Sequence, residues 1–200
     1  MTSPRERRRR ETARDIQRAA LRLCLAHGSA AVTAEAIAVE AGISTRTFFN
    51  YYQNKQAAIL GIQPRLDLES AGWFVTSAAP LLDDVVRVMA GMIDEVEVSR
   101  DLLCQVRSLI EAEPPLLPLF KASLDAATQT LVVLLERRLG PDHRAQAELI
   151  AALARQALSI AVWAWAADEA MGRSCISAMM RSHIEKSCAC LVPQPCAASG

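Results

Sequence analysis

Aromatic side chains are scarce in this chain, with three Trp, two Tyr and four Phe among 200 residues. Its core must therefore be filled by aliphatic side chains, and a hydrophobic content of 52% supplies enough of them for a self-sufficient fold. Glycine is sparse too, at eight residues, and β-branched runs are short. Alanine, leucine, arginine and glutamate dominate instead, and these side chains lose little rotamer freedom in a helix. An all-α fold follows.

Long apolar runs are also missing. The longest, around 157–167, is bounded by Arg155 and Asp168 and falls short of the roughly 18 residues that a membrane span needs. Near the N-terminus Arg14, Asp15, Arg18 and Arg22 interrupt any apolar stretch of the kind a secretory leader carries. The expectation is a cytoplasmic protein with no membrane partner. The six cysteines at 24, 104, 175, 188, 190 and 196 show no framework spacing, so reduced thiols are expected. A sharper alternative takes His183, Cys188, Cys190 and Cys196 as thiolate-type metal ligands or as the source of a redox pair.

Catalytic constellations are absent as well. His27, His143 and His183 have no Ser or Cys partner at motif spacing, there is no glycine-rich phosphate loop, and Asp83-Asp84 opens a helix, where it complements the dipole. No enzyme and no cofactor is expected.

What the sequence does have is an uneven charge. Through Lys55 it carries ten Lys/Arg against five Asp/Glu, whereas the remainder carries twelve against seventeen. One end suits a polyanion and the other does not. It also concentrates its aromatics: Phe48, Phe49, Tyr51 and Tyr52 fall within five residues.

The helical pattern around that cluster is specific. Ile16, Ala19, Ala20, Leu23, Cys24 and His27 recur at helical spacing from Glu11 onward, and Gly28 stops the run. Thr33 caps a short second helix through Ala41, Gly42 ends it, Ser44 caps a third over Thr45 to Tyr51, and Asn54 caps a fourth opening at Lys55. Helix, glycine turn, helix is the spacing of a helix-turn-helix. The fourth helix runs toward Pro64, which predicts a break between Gly61 and Pro64. Further helices are expected over 81–98, 100–111, 116–139, 142–171 and 174–191, about nine in all.

The stretch "VTAEAIAVEAGISTRTFFNYYQNKQAAIL" resembles the DNA-binding domain of TetR-family transcriptional regulators. It shows a capping Thr, an Ile-Ala pair, Ala-Gly-aliphatic-Ser, a Thr-aromatic-aromatic-x-Tyr-aromatic run and a Lys opening the fourth helix. The likeness covers 11–60, and the later helices match only in number, length and order. It implies a helix-turn-helix domain over 11–55 and a helical ligand-binding and dimerisation domain over 56–192, while charge density over 1–10 and the prolines at 193 and 195 lead us to expect a flexible basic arm and a flexible tail over 193–200.

Carried over by position, the resemblance implies that Thr33 caps the second helix and touches phosphate, that Thr45, Arg46 and Asn50 face the major groove, and that Ser44 belongs to the same DNA-binding set. Thr47 and Tyr51 would lie against the backbone, and Lys55 would bind phosphate at a helix start. Arg46 has the fork for a guanine edge and Asn50 the amide for an adenine. Phe48 and Tyr52, at i and i+4, are expected to fill the small core. Phe49 stands where the family usually has a phosphate-contacting Tyr, and Gln53 where it often has Pro. The arginines at 5 and 7 to 10 are expected either to reach DNA as an arm or to form a solvated tail.

Two further sites follow from the same likeness. Leu149, Ile150, Leu153, Ala157, Leu158, Ile160, Ala161, Trp163 and Ala164 circle more than one face of their helix. Such a helix must be buried on several sides, either within the subunit or against a copy. The resemblance implies a homodimer through a four-helix interface that includes Ile150, Leu153, Ala157, Ile160, Ile176, Met180 and Ile184. Met89, Met92, Cys104, Arg107, Phe120 and Trp163 are the expected lining of a pocket for a small apolar or acyl-type effector. The effector would swing the helix broken at Pro64 and release double-stranded operator DNA.

Overall fold

The computed structural model describes residues 4–63, 65–96 and 99–191, with the side chains of 95 and 96 left out. Among the described residues there are eleven α-helices, two 3-10 turns and no strand. The helices are α1 (Pro4–His27), α2 (Ala34–Glu40), α3 (Thr45–Tyr51), α4 (Lys55–Leu60), α5 (Trp73–Thr76), α6 (Leu81–Val96), α7 (Arg100–Ala112), α8 (Leu116–Ser123), α9 (Asp125–Leu139), α10 (Arg144–Ala167) and α11 (Cys175–Leu191). The 3-10 turns cover Ser29–Ala31 and Pro141–His143. The all-α architecture expected from composition is observed.

Several boundaries differ from the sequence pattern, each for a local reason. The first helix begins at Pro4, not at Glu11, so the described part of the basic arm is helical. Pro is tolerated in a first helical turn, Arg is a good helix former, and Thr12 Oγ1 donates to the Arg8 carbonyl at 3.1 Å. The single helix expected over 116–139 is divided at Leu124. There Ser123 Oγ donates to the Phe120 carbonyl at 2.7 Å, and the Leu124 amide turns to Lys121 at 3.1 Å. The helix expected over 142–171 ends at Ala167, where Asp168 Oδ1 accepts from the Ala170 amide at 2.9 Å in a local turn. Short α5 had no signal. These two additional helices bring the expected nine to eleven.

The chain forms two compact units. The first comprises 1–64 and 96–126, thus α1 to α4 with α7 and α8. Its core is Ile16, Leu21, Ile37, Phe48 and Ile59 with Val106 and Leu109 from α7, all 3% exposed or less. Helix α1 packs against α2, α4 and α7. Two polar contacts fix it: Tyr52 Oη donates to the Ala13 carbonyl at 3.1 Å, and Gln17 Nε2 donates to the Ile59 carbonyl at 3.2 Å. Burial pushes the Tyr52 hydroxyl above its ordinary value. Helix α4 ends at Leu60, and Gly61 follows at φ 76°. The positive φ favours glycine here, and a Cβ on Gly61 would lie 2.3 Å from the Gln17 amide and displace it from the Ile59 carbonyl. Pro64 itself lies outside the described residues.

The second unit comprises 65–95 and 127–200, with α5, α6 and α9 to α11. Leu131, Leu134 and Leu135 of α9 are fully buried, as is Met180 of α11. Helix α10 turns Ala147, Ala151, Ala154, Ala157 and Ala161 inward, and α10 and α11 pack along their lengths. Small side chains at i, i+4, i+7 and beyond let the two backbones approach closely. By length and composition α10 with its preceding turn is apolar enough to cross a membrane, at a mean hydropathy of 1.5. Its alanine face is nevertheless core within this unit, and the helix carries Arg144, Glu148 and Arg155 off that face.

One ion pair anchors the unit. Arg138 Nη1 lies 2.6 Å from Asp84 Oδ2, Arg138 Nη2 donates to the Ala79 carbonyl at 2.6 Å, and the guanidinium stands over the Phe74 ring at 5.0 Å. Both charged side chains are nearly buried. Desolvation raises the Asp84 carboxyl pKa, but hydrogen bonds from Ser77 and Arg138 outweigh it, so the group is held below its usual range.

Candidate nucleic-acid interface

The site is built on three side-chain caps. Thr33 Oγ1 accepts from the Ala36 amide at 3.2 Å, Ser44 Oγ from the Thr47 amide at 3.0 Å, and Asn54 Oδ1 from the Ala57 amide at 2.8 Å. Helices of six or seven residues cannot offset their nucleation cost alone, so these caps decide where α2, α3 and α4 begin. Between α2 and α3 Gly42 adopts φ 68°, a conformation that side chains with a Cβ resist. Each expected cap is therefore made.

Helix α3 sorts its residues by face. Phe48 is fully buried and Tyr52 is 6% exposed, both in the core of the first unit. Arg46 and Asn50, four residues apart, are exposed on the opposite side, with Thr45, Thr47 and Tyr51 half-buried on the flanks. Thr47 Oγ1 lies 2.8 Å from Ser44 Oγ, so these hydroxyls hold each other at the helix start. Phe49 is 51% exposed and meets Phe48 edge-on at 5.3 Å between ring centroids. A forked cation and an amide thus project side by side from a rigid helix, as hydrogen bonding to base edges requires.

Two features of the surroundings were not evident from sequence. Arg9, in the helical continuation of α1, stands 5.6 Å from the centre of the Tyr51 ring and so brings the basic segment beside α3. Lys55 does not project outward. Its Nζ donates to the Ser29 carbonyl and, at 3.0 Å, to the Val32 carbonyl. The ammonium expected on phosphate is engaged within the first unit. A contact between residues 26 apart has no sequence signal beyond the lysine itself.

The remaining expected sites are placed as follows. Met89 and Met92 are buried in α6 and Trp163 is half-buried in α10, all in the second unit. Cys104 and Arg107 are exposed on α7 and Phe120 is half-buried in α8, all in the first unit. Arg107 Nε donates to Glu111 Oε1 at 2.8 Å. Of the expected interface residues, Ala157, Ile176, Met180 and Ile184 are buried within the chain itself, so their side chains are unavailable to a copy. Ile150 and Leu153 are half-buried and Ile160 is 43% exposed. Helix α10 is apolar on two faces, and periodicity does not say which of them its own subunit covers. Among the described residues no His/Cys/Asp/Glu group could hold a metal ion, and Cys196 lies outside them.

These features define a helix-turn-helix DNA-binding protein of all-α architecture. Residues 16–60 match the model of the bacterial regulatory proteins of the tetR family, so α1 to α4 form a DNA-binding domain of that type. Among solved structures it is similar to Thermus thermophilus FadR, described as a TetR-family repressor in complex with lauroyl-CoA. That likeness has 20% identity over 94% of this chain and 99% of the other, with a TM-score of 0.50, and it supports the fold. It is also similar to a protein from Mesorhizobium loti described as a TetR-family regulator, at 16% identity, 92% and 98% coverage and a TM-score of 0.48. A fatty acid degradation regulator FadR from Bacillus halodurans matches at 18% identity, 87% and 93% coverage and a TM-score of 0.44. No curated protein matches the sequence.

Proposed function

We propose that the chain represses transcription as a dimer that grips operator DNA through α2 and α3 and lets go when a small molecule binds. The observation that carries this reading is the outward pairing of Arg46 and Asn50 on α3, held above a fully buried Phe48. In it, Arg46 and Asn50 read base edges and Thr45 lies beside them. Thr33, Ser44, Thr47 and Tyr51 meet the phosphate backbone with Arg9 nearby. Such a protein works in the cytoplasm and needs no catalytic group.

Dimerisation is assigned to the outer face of α10, where Leu149 is 72% exposed and Ile160 43% exposed, with Leu153 half-buried between them. An apolar strip of this length on an otherwise alanine-packed helix suits a copy of itself, and two-fold symmetry would present two reading heads to two half-sites. The effector domain is residues 56–192, and an acyl-type effector is the leading class. Lauroyl-CoA, the ligand of the Thermus thermophilus protein, is the first compound to try. Release requires that the effector bind the DNA-incompetent arrangement more tightly than the competent one. The exposed placement of Cys104 and Arg107 favours a second reading, in which a partner protein and not a small molecule controls DNA binding.

Electrophoretic shift of a duplex selected by the full-length chain from a random pool, with and without lauroyl-CoA, tests the proposal. A retarded band that lauroyl-CoA dissolves supports both parts. A band indifferent to lauroyl-CoA and to other acyl-CoAs favours the second reading, and no band with any duplex removes the DNA-binding one.

A further inference from the structure

Ser29 is gripped from both ends of its peptide. Its amide donates to Glu113 Oε1 at 2.6 Å and its hydroxyl donates to Glu113 Oε2, while its carbonyl accepts from Lys55 Nζ. The same ammonium donates to Val32, the residue before the Thr33 cap of α2. Glu113 is the residue that ends α7, and Lys55 is the first residue of α4. One carboxylate and one ammonium therefore tie four points of the first unit: the end of α7, the turn after α1, the start of α2 and the start of α4. The hydrogen bonds from Ser29, and then the charge of Lys55, hold the Glu113 carboxyl below its ordinary pKa, so it is ionised at neutral pH.

We infer that Lys55 and Glu113 are positioning residues for the reading head, and that Lys55 acts on DNA affinity through Ser29, Val32 and the α2 start, not through a phosphate contact. This rests on the DNA-binding reading above. An ammonium has three donors, and two of those on Lys55 are directed at carbonyls 23 and 26 residues away. Swinging the side chain outward to a phosphate would abandon both carbonyls and weaken the charge attraction that Lys55 adds to the Ser29 hydrogen bonds on Glu113. Charge-assisted hydrogen bonds are about twice as strong as neutral ones, so the clamp is a stiff support for α2 and α4. Helix α3 is held between them in sequence by the Gly42 turn and the Asn54 cap.

Salt dependence separates the two roles. A lysine that displaces counterions from phosphate adds about 0.9 to the magnitude of the slope of log affinity against log salt, whereas a positioning lysine adds nothing. The measurement is fluorescence anisotropy of a duplex selected from a random pool by the full-length wild-type chain, across a salt series. The proteins are wild type, Lys55→Met, Glu113→Gln and the double variant, each checked for helicity and thermal midpoint. Each single variant is expected to weaken binding about tenfold with the slope unchanged, and the double variant to be no worse than the weaker single one. A slope smaller by about 0.9 in Lys55→Met, with Glu113→Gln binding like wild type, overturns the inference. Where Lys55→Met does not fold, Glu113→Gln decides alone: weakened binding at an unchanged slope supports the clamp, and wild-type binding contradicts it. Failure of the wild type to select any duplex defeats the DNA-binding reading instead. Hydrogen exchange at the Ser29 amide then still tests the clamp, which predicts faster exchange in Glu113→Ala and is contradicted by no change.

Discussion

Helices α2, α3 and α4 have seven, seven and six residues, and each starts on a side-chain cap; α10 has 24 residues and no side-chain cap at its start. The short helices depend on specific polar atoms, because too few turns exist to offset nucleation. The long one depends on area, through an alanine face packed along α11. Polar specificity therefore concentrates where the chain must hold a few side chains in a fixed direction, and packing suffices where it must only provide a body. Substitutions should divide along the same line.

The largest effect is expected in the second unit. Arg138→Ala strands the buried Asp84 carboxylate and should cost about 3 to 5 kcal/mol of stability, read from chemical denaturation. The same pair should be sensitive to acid. A carboxyl held below its ordinary pKa contributes stability above the unfolded value of about 3.9 and loses it as pH falls through the lower, folded value. Denaturation of wild type should thus steepen below about pH 4, and Asp84→Asn should flatten that dependence.

Next in size, Leu149→Glu should weaken dimerisation by about 2 to 3 kcal/mol while leaving the monomer folded, since Leu149 is 72% exposed in the single chain. Sedimentation with a circular dichroism control checks this. A dimer unaffected by the change would move the interface away from α10. A cap is worth less: Ser44→Ala should cost about 1 kcal/mol, seen as a lower thermal midpoint, because the Thr47 amide loses its acceptor. If Ser44→Ala proved neutral, the contrast between capped and packed helices would lose its basis.

Much of this was legible in the sequence, for reasons that differ by region. Thr33, Ser44 and Asn54 announce helix starts because a cap acts on an amide two or three residues away. The inward turn of Phe48 and the outward turn of Arg46 and Asn50 follow from helical period once the boundaries are known. Helix α10 was recognised as a helix but not oriented: Ala157 proved to be core and Ile160 exposed, and both are apolar. The clamp of Ser29, Lys55 and Glu113 was not legible, because it joins residues up to 84 apart. The family likeness points Lys55 at phosphate, whereas its ammonium is held by the Ser29 and Val32 carbonyls, a contact with no local sequence pattern. The helical start at Pro4 was hidden by charge density, which reads as a solvated tail until Arg9 is seen over Tyr51.

The central claim is that α3 reads DNA through Arg46. Binding of the full-length chain to its selected duplex, with each guanine in a half-site replaced in turn, should be compared between wild type and Arg46→Ala. The expected result is a loss of about 1 to 3 kcal/mol in Arg46→Ala, with discrimination relaxed at one base position per half-site. Equal affinity and unchanged base preference in the two proteins would contradict the account.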